Sequence, residues 1–403
     1  MNYTSINGIT NLGQWVTWNP LQKQMEVGEG GTWIIEDGLF AEYHPKSFSD
    51  KKFLNAQGCL LTPGLIDSHT HPAFATTREL EFEMRSQGKT YQEIAEAGGG
   101  IRNSVRELRE ISESELTDLV ETRFNLMLQH GTTTAECKSG YGLSTEAELK
   151  SLRAIQTASG RTPLKTFSTL LGAHEVPDEY RHDRNSYIDI IVNDMIPAVS
   201  QQKLAEFCDV FCEHGVYTIE ETEKILTAAR KHGMQLKFHA DEFVSSGGAE
   251  LAVKMGALSA DHLMAISDAG ISALAESNTV ATLLPGTTFF LGTNTWAPAR
   301  KLLDVGVTLA LATDFNPGSN MSLSMQFILT LAVIYLHMTP LEALQAATSG
   351  AAKSMGIEKS TGSIYPGLSA DAVLWQADNY RQLPYFYASN RVHHVVVDGK
   401  AIL

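Results

Sequence analysis

Two histidines separated by one residue, His69 and His71, close the apolar run GLIDSHTH over 64–71. On an extended strand that spacing sends both imidazoles to one face. A third histidine, His239, ends MQLKFHA (234–240), and Asp314 ends GVTLALATD (306–314). Three nitrogen donors and one carboxylate at strand ends read as a metal site with room for a water. Zinc, iron and manganese all accept such donors, so ligand type alone does not choose the ion.

Other polar residues fall at equivalent ends: His174 after LKTFSTLLGAH (164–174), Glu242 just past His239, and His262 in ALSADHL (257–263). A buried carboxyl beside a cation can carry a proton to a leaving nitrogen, and a neutral imidazole can polarise a carbonyl. Arg78, seven residues after His71, offers a guanidinium fork to a carboxylate, and Tyr141 in SGYG offers a hydroxyl to the same ligand. The turn-rich stretch DFNPGS (314–319) places Asn316, Gly318 and Ser319 where their donors face an anionic substrate end.

These residues need a scaffold that gathers strand ends. Five of its runs are named above; TTTAECKS (132–139), CDVFCEH (208–214) and TVATLLP (279–285) bring the strand-like runs to eight, alternating with helical patterns. Such alternation predicts parallel βα units closed into a (β/α)8 TIM barrel, whose functional residues gather at the C-terminal ends of its strands. Gln129-His130-Gly131 and Lys231-His232-Gly233 each place a basic residue and a glycine where a helix should stop, so both histidines read as caps. The flanks differ from this middle. Residues 1–63 and 359–403 are strand-rich, with Asp-Gly hairpin signals at 37–38 and 398–399, and predict one small β-sandwich-like domain assembled from both termini. The barrel then occupies 64–358.

Composition narrows the class. In 403 residues, 43% hydrophobic and 19% charged usage excludes a disordered, collagen-like or coiled-coil chain. Lys plus Arg number 31 against 46 Asp plus Glu, a net charge of −15 that repels nucleic acid and anionic membranes. No basic stretch followed by an apolar one opens the chain, and FILTLAVIYL (327–336) is too short to cross a bilayer, so a cytoplasmic protein with one buried helix there is expected. Cys59, Cys137, Cys208 and Cys212 form no CxxC pair and read as small buried apolar residues.

Longer segments carry a resemblance. PGLIDSHTH with the strand-ending His239 and Asp314 is similar to the metal-dependent amidohydrolase superfamily. FEMRSQGKTYQEIAEAGGGI (82–101), TTAECKSGYGL (133–143), LGAHEVP (171–177), HADE (239–242), SADHL (259–263) and LATDFNPGSN (311–320) resemble the imidazolonepropionase family within it. The resemblance implies hydrolysis of the cyclic amide of 4-imidazolone-5-propanoate, the third step of histidine degradation. It implies metal ligation by His69, His71, His239 and Asp314. It implies substrate contacts from Arg78, Tyr141, His174, Glu242, Asn316, Gly318 and Ser319, with His262 near the reacting centre. Catalytic proton transfer and polarisation would fall to Glu242, His262, Asp314 and His174. Binuclear superfamily members carry a modified lysine at the end of the fourth strand; CDVFCEHG lacks one, which points to a single zinc or iron ion per subunit. The expected partner is a small molecule, and a symmetric homodimer is the commonest assembly for such a chain.

Overall fold

The structure, a computed structural model, describes residues 3–89, 93 and 99–402. Residues 90–92 and 94–98 of the 82–101 segment, including part of its glycine-rich end, lie outside the described residues.

All eight strand-like runs are strands. They are Leu65–Thr70, Thr132–Lys138, Lys165–Ala173, Phe207–Cys212, Gln235–Ala240, Ser259–His262, Val280–Leu283 and Leu309–Leu311, called strands 1 to 8 below. Each pairs in parallel with its chain neighbours, in the order 8-7-6-5-4-3-2-1. A single bridge between Thr70 and Phe315 joins the two edges, backed by His71 N–H donating to Phe315 O at 2.9 Å and Asp314 N–H to His69 O at 3.0 Å. The barrel is therefore nearly closed, and the seam runs beside His69, His71 and Asp314. Strand 8 is shorter than its sequence run: it ends at Leu311, and Asp314 sits in the loop just beyond, with a left-handed φ of 54°.

Helices separate the strands as the pattern requires. Glu113–Gln129 starts with a Ser112/Glu115 capping box and Ile219–Lys231 with a Thr218/Glu221 box. Both stop where expected: His130 and His232 occupy the C-caps, and Gly131 and Gly233 follow at φ 89° and 85°, values that suit glycine. The FILTLAVIYL run forms helix Met325–Tyr335 with Leu336 as its C-cap; Ile328 to Ala332 are buried, Phe327 is half-buried, and Ile334 and Tyr335 are exposed.

The lumen is layered. Ile66, Phe207, Val280 and Ala310 fill its foot with Ala351, Ala352 and Met355. Above them lies a buried tier of charge, Glu136, Lys138, Asp209, Lys237 and Asp261, and above that the histidines.

Both termini build the remaining sheets. In the seven-stranded one, Leu60–Pro63 lies between Gln14–Asn19 and Ala372–Trp375, followed outward by Val392–Val397, Lys400–Ile402 and Tyr3–Ser5. A four-stranded sheet of Leu39–His44, Thr32–Glu36, Gly8–Thr10 and Phe53–Asn55 packs on it through Ile9, Trp33, Ile35 and Phe40 against Leu61, Leu374 and Val396. The two Asp-Gly pairs turn their hairpins with positive φ at both residues. Cys137, Cys208 and Cys212 are buried and Cys59 is half-buried; none is disulfide-bonded.

Candidate metal centre and substrate pocket

The histidines of strand 1 point into the barrel mouth together. His69 Nε2 lies 3.3 Å from His71 Nε2, and Asp314 Oδ1 lies 3.6 Å from the first and 3.3 Å from the second. His239 packs edge-on against His69, ring centroids 4.5 Å apart, and His262 lies 5.2 Å from His239. Donor atoms of His69, His71 and Asp314 fall in one group close enough to share an ion; those of His69, His239 and His262 fall in another.

These residues fit a cation. His69 Nδ1 is 2.6 Å from Asp261 Oδ2, which fixes its proton there and leaves Nε2 as a lone pair facing His71 Nε2. Burial holds His69 and His71 below the usual imidazole pKa, so both are neutral. Ligands about 2.1 Å from a tetrahedral ion stand about 3.4 Å apart, the separation seen here. Asp314 stays ionised: its pKa is depressed, against its burial, chiefly by the hydrogen bond to His71 and the neighbouring histidines. Both ring nitrogens of His262 are buried without a hydrogen-bond partner among the described residues, as a group awaiting a ligand would be. Backbone strain gathers at the same place, with His262 at φ 79° and Leu263 at φ 65°.

A cavity of about 520 Å³ opens over this cluster. His71, His174, His239, His262, Glu242 and Asp314 line its floor and one side; Arg78, Tyr141, Asn316, Gly318 and Ser319 also line it. His69 is sealed beneath. All of the candidate residues except His69 therefore line one cavity. Glu242 Oε2 lies 3.6 Å from His262 Nε2, and burial beside Asp314 and Glu213 pushes its carboxyl well above the usual range. Burial pulls His262 down to about 3. His174 Nδ1 donates to Gly140 O at 2.9 Å, its ring lies near Tyr141, and burial keeps it neutral. Burial also holds the Tyr141 phenol protonated. Arg78 donates through Nε to Ser104 Oγ at 2.9 Å, leaving the guanidinium tip toward the cavity; a Cβ on Gly318 would come within 2.7 Å of its Nη1.

The 314–319 loop differs from expectation in one respect. The amides of Gly318 and Ser319 do not face the cavity as free donors, because both donate to Asn316 Oδ1 at 2.8 Å. Asn316 Nδ2 in turn donates to Asp314 O at 2.8 Å and Ser319 Oγ at 2.7 Å, so Asn316 shapes the turn that carries Asp314.

Several contributors escaped the sequence reading. Asp261 orients His69, and Thr287 donates to Asp314 Oδ2 at 2.5 Å. Asp209 accepts His239 N–H at 3.0 Å and lies 2.9 Å from its Nδ1, off hydrogen-bond alignment. Arg85, Glu81, Phe211, Phe243 and Leu291 also line the cavity. The signal was present: Asp67 and Lys237 each precede an inward histidine by two residues, so charge recurs in the inward phase of buried strands.

Comparison with known proteins agrees with this architecture. Residues 60–402 match the amidohydrolase family, and the chain belongs to it. Atrazine chlorohydrolase from Arthrobacter aurescens TC1, crystallised with zinc, shares the fold at TM-score 0.77 and 18% identity, over 98% of this chain and 95% of its own. The imidazolonepropionase of Shouchella clausii (strain KSM-K16) is 48% identical over 94% of this chain and 87% of its own, and that of Geobacillus thermodenitrificans (strain NG80-2) 45% identical over 94% and 91%. Within the amidohydrolases, the chain is a member of the imidazolonepropionases.

Proposed function

We propose that this chain hydrolyses the ring amide of 4-imidazolone-5-propanoate to N-formimidoyl-L-glutamate, and that it does so with one zinc or iron ion held by His69, His71, His239 and Asp314. The observation that carries the reading is the cavity itself, which sets neutral imidazoles, an ionised Asp314 and a protonated Glu242 in one chamber with Arg78.

When bound, such an ion supplies hydroxide at neutral pH by lowering the pKa of water from near 16 to about 7. The residues do the rest. Arg78 takes the propionate through its free guanidinium edge while Tyr141 donates to the same carboxylate, which fixes the ring over the histidines. Asp314 accepts the proton of the attacking water as its oxygen bonds to the ring carbonyl carbon. His262, neutral and with neither ring nitrogen engaged, turns a ring N–H to the charge developing on the carbonyl oxygen, while His174, whose Nδ1–H is committed to Gly140, presents its bare Nε2 as an acceptor to a substrate ring N–H. Glu242, kept uncharged by burial, protonates the ring nitrogen as the C–N bond breaks. His262, whose pKa falls to about 3, is not in its protonated form at neutral pH and so is not the proton donor. A barrel unit over 64–358 carries this chemistry, braced by a composite β domain of 1–63 and 359–403.

A ring deaminase would share the histidines but have no carboxylate for Arg78. Incubation in heavy-oxygen water separates the two: one label entering a new product carboxylate supports ring hydrolysis, and release of ammonia contradicts it.

A further inference from the structure

Beneath the histidines, strand 2 carries a lysine in the sealed lumen. Lys138 is fully buried, and its ammonium donates to Asp209 Oδ2 at 2.7 Å and to Glu136 Oε1 at 2.8 Å. Each carboxylate leads to a different ligand-bearing strand. Asp209, on strand 4, accepts the His239 N–H of strand 5 and lies 2.9 Å from the His239 ring. Glu136 accepts Thr70 N–H at 3.3 Å through its other oxygen, and Thr70 Oγ1 donates back to Glu136 O at 2.6 Å. Thr70 is the residue between His69 and His71. Thr169 of strand 3 closes the ring with a short hydrogen bond to Glu136 Oε1.

A lone ammonium in this interior would be too costly to bury, and two carboxylates without it would repel across a few ångströms. The tier therefore has one arrangement, and Lys138 is its centre. We infer that Lys138 is a positioning residue: through Glu136 it fixes the His69–His71 arm, through Asp209 the His239 arm, and so sets the spacing between the nitrogen donors. The inference rests on the proposed reading of those three histidines as metal ligands. Residues behind metal ligands commonly alter affinity by about 10–100-fold, and a group serving two arms at once belongs at the upper end.

The test uses the holoprotein and zinc. Lys138→Met alone leaves two carboxylates facing each other and invites unfolding, so the informative variant is Lys138→Met with Glu136→Gln, which removes one positive and one negative charge together. Transfer of zinc from each protein to a chromophoric chelator is read beside thermal unfolding of the metal-free form. Lys165→Met is the structural control: Lys165 starts strand 3 at the far end of the barrel and pairs with Asp371 at 2.7 Å and Asp398 at 2.6 Å. The inference predicts that the double variant unfolds cooperatively yet releases zinc about 10–100-fold more readily, while Lys165→Met loses thermal stability and keeps wild-type zinc affinity. Asp209→Asn added to the double variant should weaken zinc by less than it does alone, because both act through His239. Wild-type zinc affinity in the double variant overturns the inference, as does equal weakening by Lys165→Met. A wild-type protein that retains no metal overturns the ligand reading itself.

Discussion

At the residue scale, Arg78 and Glu242 divide binding from chemistry. Replacing Arg78 by Met removes charge-assisted hydrogen bonds to the propionate; KM should rise about 10–100-fold with a smaller change in kcat, as steady-state kinetics will show. Glu242→Gln should lower kcat by about 10²–10⁴-fold and leave metal content unchanged. The pH profile follows from the direction of the Glu242 shift. Its pKa is raised by burial and by Asp314 and Glu213, and the protonated form is the donor. Glu242 should therefore set the alkaline limb: activity falls as pH rises through that elevated value, and Glu242→Gln removes this limb. The linked stability has the same sign: the contribution of burying Glu242 uncharged is complete below its ordinary value near about 4.3 and is lost as pH climbs through the raised one. The histidines and Asp314 were legible because each ends an apolar run. Asp209, Asp261, Glu136 and Lys138 were not singled out, since a charge inside a buried strand reveals its partner only when strands 2, 4, 5 and 6 are brought together.

At the element scale, the loops at the mouth are tied by carboxylates. Glu148 accepts from the amides of Gly140, Gly142 and Leu143 at 2.7 to 2.8 Å, holding the turn that presents Tyr141. Glu213 accepts from the amides of His214, Glu242 and Phe243 at 2.9 Å, and Asp241 from those of Ser246, Gly248 and Ala249. Buried amides that lose an acceptor cost about 1–3 kcal/mol each. Glu148→Gln should therefore lower unfolding free energy by about that amount in urea and raise KM through Tyr141, with metal content intact. Strand order and helix caps were readable from periodicity and from His130-Gly131 and His232-Gly233. The knots were not, because they join loop backbone to a carboxylate five to eight residues away, as at Glu148 and Asp241, or on the preceding βα loop, as at Glu213. Asp314 shows the same limit: the run continues through Thr313, but the chain leaves the sheet at Leu311 when Thr313 turns its N–H and hydroxyl onto Asp67.

At the scale of the whole molecule, the termini are interleaved. Leu60–Pro63 pairs on one side with Gln14–Asn19 and on the other with Ala372–Trp375, so neither end can be removed without opening a sheet. Deleting residues 1–59 should expose Leu61, Leu374 and Val396 and abolish cooperative unfolding by calorimetry; a truncated chain with a wild-type transition would contradict the shared sheet. The sequence revealed that both ends are strand-rich, through their Asp-Gly turns. It did not reveal which strands neighbour each other, because that order depends on pairing across more than 300 residues, as between Thr62 and Val373.

Ring hydrolysis at a metal held by the strand-end histidines makes turnover dependent on both the imidazolone and the ion. The most direct measurement is turnover of freshly prepared 4-imidazolone-5-propanoate, followed by loss of its absorbance, before and after chelation and again after zinc or iron is restored. Turnover should be rapid, abolished by chelation and recovered when the ion is restored. Metal-replete protein that leaves the imidazolone intact, or turnover indifferent to chelation in protein shown to be metal-free, would contradict ring hydrolysis at that metal.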